Sequence, residues 1–129
     1  MPRYLNPPDA PRPASRYAQG VALGPAAKRL VISGQIGLNA EGVLAQGLEG
    51  QMAQAFDNLL AVVAAAGLTA ADIIKTTTYV TVPDAVAIYR KIREEKLGKG
   101  FPAATYLQVA RLALAEYLVE IEGEAVREV

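Results

Sequence analysis

Between Leu48 and Ala66 the apolar residues Leu48, Met52, Phe56, Leu59, Leu60 and Val63 recur at three- and four-residue spacing, while Glu49, Gln54, Asp57 and Asn58 fall elsewhere. The spacing predicts a helix of about five turns packed by one stripe. Gly67 stands where a C-cap takes the left-handed conformation, and Thr69-Ala-Ala-Asp72 has the form of a short capped turn. Ile73 to Val82 is rich in β-branched residues, which fit a pleated, half-buried surface, and its length suits a central strand. Pro83 then fits a first helical turn and Asp84 a helix N-terminus, so a second helix is predicted over Ala85 to Leu97, closed by Gly98-Lys-Gly100.

The flanks read as extended chain. Prolines at 2, 7, 8, 11 and 13 fix φ and remove backbone donors, so residues 1–15 are expected to form an arm over the surface rather than an element. Strand-type runs at Tyr17 to Leu23 and Arg29 to Ser33, joined by Gly24-Pro-Ala-Ala-Lys28, predict a β-hairpin. Gln35 to Val43 continues extended to a turn at Asn39-Ala-Glu-Gly42, and Phe101 to Leu112 and Tyr117 to Val126 are two further strands around Ala113-Leu-Ala-Glu116.

The expected order is ββ, α, β, α, ββ: one α+β domain over 1–129, a two-layer sandwich with a mainly antiparallel mixed sheet and two helices on one face. Period-two alternation sorts that sheet. Tyr117, Val119 and Ile121 suit the helix side, while Leu118, Glu120, Glu122 and Glu124 fall on the other; Ile74, Thr76, Thr78, Val80 and Val82 alternate in the same way with Lys75, Thr77, Tyr79 and Thr81. The second face is left needing cover, either from other subunits or from solvent.

Composition narrows the chemistry. The chain has 129 residues, enough for one core, and its 13 basic and 13 acidic residues provide no long-range field to gather phosphate backbones or anionic lipid. Neither nucleic acid nor a membrane is an expected partner, and no stretch supplies the roughly 18 apolar residues of a membrane span. A cytoplasmic location is expected. Cysteine and histidine are both absent, which removes disulfides, thiolate nucleophiles, the commonest general base and the usual metal ligands. Chemistry is left to carboxylates, Tyr, Lys, Arg, hydroxyls and backbone amides, and neither a metal nor a cofactor is implied.

Several segments, in order and spacing, resemble one family. Tyr17-Ala-Gln-Gly-Val, Val31-Ile-Ser-Gly-Gln-Ile36, Ala65-Ala-Gly-Leu68, Ile73-Ile-Lys-Thr-Thr-Thr-Tyr79, Phe101-Pro-Ala-Ala-Thr105, Val109-Ala-Arg-Leu112 and Val119-Glu-Ile-Glu122 are similar to the signature segments of the RidA (YjgF/YER057c-like) family across nearly the whole chain. The resemblance implies a chorismate-mutase-like fold and a homotrimer whose sheets form a central barrel, with small-molecule clefts between subunits. It also implies hydrolysis of enamines or imines to a 2-keto acid and ammonia, as an enamine/imine deaminase, without a cofactor. By position, the water-handling glutamate is Glu120, and Tyr17, Ser33 and Gly34 line the cleft. Ala104, Thr105 and Tyr106 are the cleft residues of the fourth strand, and Tyr89 is that of the second helix. The archetypal arginine, which grips the substrate carboxylate, is replaced by Ala104; the asparagine of the second helix is replaced by Tyr89; and Tyr106 stands where a small residue is usual. Loss of a desolvated guanidinium clamp weakens carboxylate binding by roughly 2–5 kcal/mol.

Each of these residues also has an ordinary reading. Glu in a strand is mostly exposed, tyrosines are common β-formers, Ser-Gly is common turn punctuation, and a mid-strand lysine such as Lys75 commonly snorkels. Arg16, Arg90 and Arg93 are the candidates to substitute for the missing clamp, although helix arginines are usually solvated. Three functions remain open: a deaminase-type hydrolase of altered specificity, a non-catalytic metabolite-binding trimer, and the ribonuclease or translation inhibitor of the family's older label. Neutral charge and missing histidine count against the third.

Overall fold

A computed structural model describes residues 3–5, 8, 9, 20–100 and 102–128. The elements are β1 (Arg3–Leu5), β2 (Gly20–Ala22), β3 (Ala27–Gln35), α1 (Gly47–Ala65), a single 3₁₀ turn (Ala70–Asp72), β4 (Ile73–Val80), α2 (Val86–Leu97), β5 (Ala103–Gln108) and β6 (Val119–Glu128). The main sheet has the order β3-β6-β4-β5. β6 runs antiparallel to both neighbours and β4 and β5 run parallel, so the sheet is mixed, with both helices on one face. This is the expected α+β architecture.

The stripe on α1 does what its spacing predicts: Met52, Phe56, Leu59 and Val63 are buried against Ile32, Val80, Val119, Ile121 and Ala125 of the sheet and Tyr89 and Ile92 of α2. Burial of such side chains is worth about 1.5–3 kcal/mol each. The helix ends in a Schellman motif, with Gly67 at φ +74° donating to Ala64 O (2.9 Å) and Leu68 N donating to Val63 O (3.1 Å). The Thr69 amide donates to Asp72 Oδ2 at 2.7 Å, so the capped turn forms as well.

Four expectations are corrected. The hairpin between residues 17–23 and 29–33 does not form: β2 pairs with β1, in register Arg3↔Ala22 and Leu5↔Gly20, and β3 pairs with β6. A local turn signal could not anticipate that the chain end would supply the neighbour of β3. Part of the proline-rich arm is accordingly a strand, Arg3–Leu5; most of the rest of the arm lies outside the described residues. Pro83 and Asp84 precede the second helix instead of opening it. Asp84 takes a left-handed φ of 55° and helix begins after Ala85, because the chain needs a reversal after β4 and aspartate tolerates that conformation. The predicted strands also run past their observed ends, β4 stopping at Val80 and β5 at Gln108.

Among the described residues no helix is long and apolar enough to cross a membrane.

Candidate functional site

Alternation along β4 and β6 holds in the structure. Thr76, Thr78, Val80, Val119, Ile121 and Ala125 are buried, whereas Lys75, Thr77, Tyr79, Glu120 and Glu124 are half-buried and Glu122 is exposed. Register sets Glu120 opposite Tyr79, Glu122 opposite Thr77 and Glu124 opposite Lys75, so one face presents three carboxylates to an amine, a hydroxyl and a phenol.

At one end of that face Glu120 lies against Gly34. A Cβ built on Gly34 would stand 2.7 Å from the Glu120 carboxyl carbon and 3.0 Å from its Cγ, so only glycine admits the carboxylate there. The contact falls where β3 loses register with β6, between Ile32 and Gln35, and Ser33 is exposed at that irregularity. Two amides of α1 hold the flanks. Asn58 Nδ2 donates to Ile36 O (2.9 Å) and Leu38 O (2.7 Å), just after Gly34. Buried Gln51 donates to Glu116 O (3.1 Å) and accepts from Leu118 N (2.9 Å), two residues before Glu120. Neither amide stood out in the sequence, since a polar residue off the stripe of a helix looks like solvated surface.

Further along the face a concavity of about 290 Å³ is lined by Val31, Ile32, Lys75, Thr77, Glu122, Gly123 and Glu124. Lys75 Nζ donates to Thr105 Oγ1 at 2.6 Å, Tyr79 OH donates to Glu122 Oε1 at 2.9 Å, and Arg29 pairs with Glu124 at 3.0 Å. Burial lowers the Lys75 pKa from its ordinary value, against an opposing pull from Glu122. The hydrogen bond to Glu122, with smaller contributions from burial and the charges of Glu122 and Glu120, raises that of Tyr79.

Of the remaining predicted residues that are described, all but Thr105 lie on the helix-covered side of the sheet. Tyr106 stacks on Tyr89 of α2, with centroids 4.8 Å apart and planes tilted by 40°. Ala104 shares its side of β5, while Thr105 is turned to the open face with Lys75. Arg93 is buried with its guanidinium 5.1 Å from the Tyr89 ring centroid and Nη1 3.4 Å from the Tyr89 hydroxyl, unlike the exposed Arg90. Burial raises the Tyr106 pKa. The structure therefore brings Glu120 to Gly34 and Tyr89 to Tyr106, and places these two pairs on opposite faces of the sheet. Tyr17 and Arg16 lie outside the described residues. Among the described residues no group of three or more carboxylates is arranged to hold a metal ion.

With this geometry the chain meets a well-populated family. The family profile described as Endoribonuclease L-PSP matches residues 7–127. A RutC family protein of Haemophilus influenzae is 36% identical, with 98% of each chain covered. The 2-iminobutanoate/2-iminopropanoate deaminase of Escherichia coli is 37% identical, covering 92% of this chain and 93% of that one. The crystal structure of a Rid-family protein of unknown function from Yersinia pestis superimposes with a TM-score of 0.84 at 33% identity, over 96% of this chain and 97% of that one. The chain belongs to the RidA/YjgF family, also called Endoribonuclease L-PSP.

Proposed function

We propose that this protein is a RidA-type hydrolase of enamines or imines, acting on a small metabolite bulkier or less acidic than 2-aminoacrylate, in clefts completed between the subunits of a homotrimer. The observation that carries the reading is the Glu120 carboxylate seated on Gly34 beside the exposed Ser33. A half-buried carboxylate held there is placed to take a proton from water as it attacks the C=N carbon. The resulting carbinolamine gains that proton at nitrogen and collapses, expelling ammonia and leaving the 2-keto product. The curated deaminase relatives support this reaction class, the fold shared with the Rid-family structure supports a common subunit architecture, and the chorismate-mutase-like relation and the trimeric barrel are taken from the family resemblance.

Position 104 sets the expected departure from the archetype. Without a guanidinium there, and with Tyr106 and Tyr89 filling volume on the same side of β5, the cleft loses carboxylate affinity and gains aromatic wall. That supports a larger side chain or a weaker acid as substrate. The same feature favours a second reading, a non-catalytic trimer that binds a metabolite without turning it over.

Imine hydrolysis separates the two. An amino-acid oxidase generates 2-imino acids of graded side-chain size, and disappearance of the imine is followed with wild type, Ala104→Arg and Glu120→Gln. Turnover of bulky imines by wild type that is lost in Glu120→Gln is the expected result. An inactive wild type with activity gained in Ala104→Arg would replace the hydrolase reading with the binding one.

A further inference from the structure

We propose that Asn58 is a positioning residue for the candidate site, holding Gly34 where the Glu120 carboxylate can seat on it. The inference rests on the hydrolase reading only for its kinetic consequence. The sheet by itself does not fix Gly34. Register passes from Ile32↔Gly123 to Gln35↔Ile121, three steps on β3 against two on β6, so Ser33 and Gly34 stand in a bulge and lose regular ladder support. The next anchor along the chain is Asn58, whose Nδ2 donates to Ile36 O (2.9 Å) and Leu38 O (2.7 Å). Its Oδ1 accepts from Gln54 Nε2 at 2.9 Å, one helical turn earlier, which orients the amide with its nitrogen towards the two carbonyls.

Placing the segment is a different task from shaping it, and the loop that follows shapes itself. Asn39 Oδ1 accepts from the amides of Glu41 (3.0 Å) and Val43 (2.9 Å), Leu38 pairs with Leu44, and Ala45 N donates to Gly37 O at 2.9 Å. Asn58 instead ties residues 36–38 to α1. The fit there is close, since a Cβ on Gly37 would lie 2.6 Å from Gln51 Cα. Gln51 in turn bonds Glu116 O and Leu118 N, just ahead of Glu120. One helix thus sets both halves of the contact, and Asn58 holds the Gly34 half. Where a carboxylate must meet a water, a displacement of about 1 Å costs on the order of 10²-fold in rate.

The test compares wild type with Asn58→Asp, which keeps the shape of the side chain but cannot donate when ionised, and with Gln54→Ala, which removes only the bond that orients Asn58. Phe56→Ala, on the same helix, controls for lost stability. Placement is read by NMR, as the change in the Gly34 amide resonance that Glu120→Gln produces in each background. That response is expected in wild type and Phe56→Ala, reduced in Gln54→Ala and largely lost in Asn58→Asp. A full response in both variants overturns the positioning role, and Gln54→Ala decides alone if Asn58→Asp does not fold. The kinetic readout is imine hydrolysis per folded protein. In Asn58→Asp kcat is expected to fall on the order of 10²-fold with KM little changed, and adding Glu120→Gln to lower it no further than Glu120→Gln alone. Additive losses, or an equal loss in Phe56→Ala, overturn the role. A wild type that hydrolyses no imine contradicts the hydrolase reading alone, and the Gly34 resonance still decides whether Asn58 places that residue.

Discussion

The two faces of the main sheet are built from alternate residues of the same strands and have opposite characters. On the helix-covered face β6 contributes Val119, Ile121 and Ala125, all fully buried under Met52, Phe56 and Leu59. Even the polar residues there are treated as filling: the hydroxyls of Thr76 and Thr78 are buried without a hydrogen-bond partner. On the open face the same strands present Glu120, Glu122, Glu124, Lys75 and Tyr79, with Tyr79 bonded to Glu122, Lys75 to Thr105 and Glu124 to Arg29. One face stores the stability, and the other carries ionisable groups that no folding requirement explains. A single residue of slip in β6 would exchange the two sets, so the buried apolar row fixes the register of the acidic one.

Substitutions should separate the faces by what they damage. Glu120→Gln is expected to lower imine turnover by about 10²–10⁴-fold with an unchanged melting temperature; equal loss of stability would make Glu120 an ordinary structural residue. Phe56→Ala should do the reverse, removing about 3–5 kcal/mol of stability in urea denaturation, with surviving folded protein retaining its specific activity. Gln51→Ala sits between them. It leaves the Leu118 amide without its acceptor and the Glu116 carbonyl without its donor, for a loss of about 1–3 kcal/mol, and by loosening the entry to β6 it should also lower activity more than Phe56→Ala does at matched folded fraction.

The smallest effect concerns neither face. Asp72, which accepts from Arg127 Nη2 at 2.6 Å and from the Thr69 amide, has its carboxyl held below the ordinary 3.8, chiefly by the Arg127 hydrogen bond. A carboxyl whose folded pKa is depressed stabilises the fold above its unfolded value and ceases to do so as pH falls through the lowered one. Asp72 should therefore contribute a small acid-side decline in stability beginning near pH 4, and Asp72→Asn should reduce the decline seen in an acid titration.

Much of this was legible where the determinants are local. The α1 stripe, the left-handed Gly67, the Thr69 turn and the alternation of β4 and β6 all follow from short-range periodicity or a single residue's conformational range. Strand partners were not legible, because pairing Ala27 with Glu128 is a choice made across the whole chain. The same distance effect hid the clamps: nothing in the spacing of Gln51 or Asn58 shows that each reaches a backbone segment far along the sequence. In the site, alternation put Glu120 on the open face. Its neighbourhood with Gly34 came only through family resemblance, since a Gly-Glu contact between two strands has no sequence signature. The separation of Tyr106 and Ala104 from Glu120 by the sheet itself was within reach of period-two reasoning on β5, which places residues 104 and 106 on one side and 105 on the other.

That separation is the feature to test most directly. If Glu120 and Gly34 of one chain act with Ala104 and Tyr106 of another, two inactive variants should complement each other. Glu120→Gln and Ala104→Glu, each inactive alone, would be mixed after reversible dissociation and assayed for imine hydrolysis. For randomly reassembled trimers with sites shared between neighbours, activity should return to about a quarter of wild type. A mixture as inactive as its components, from a wild type that hydrolyses imines, would place the whole site within one chain and contradict the shared-cleft reading.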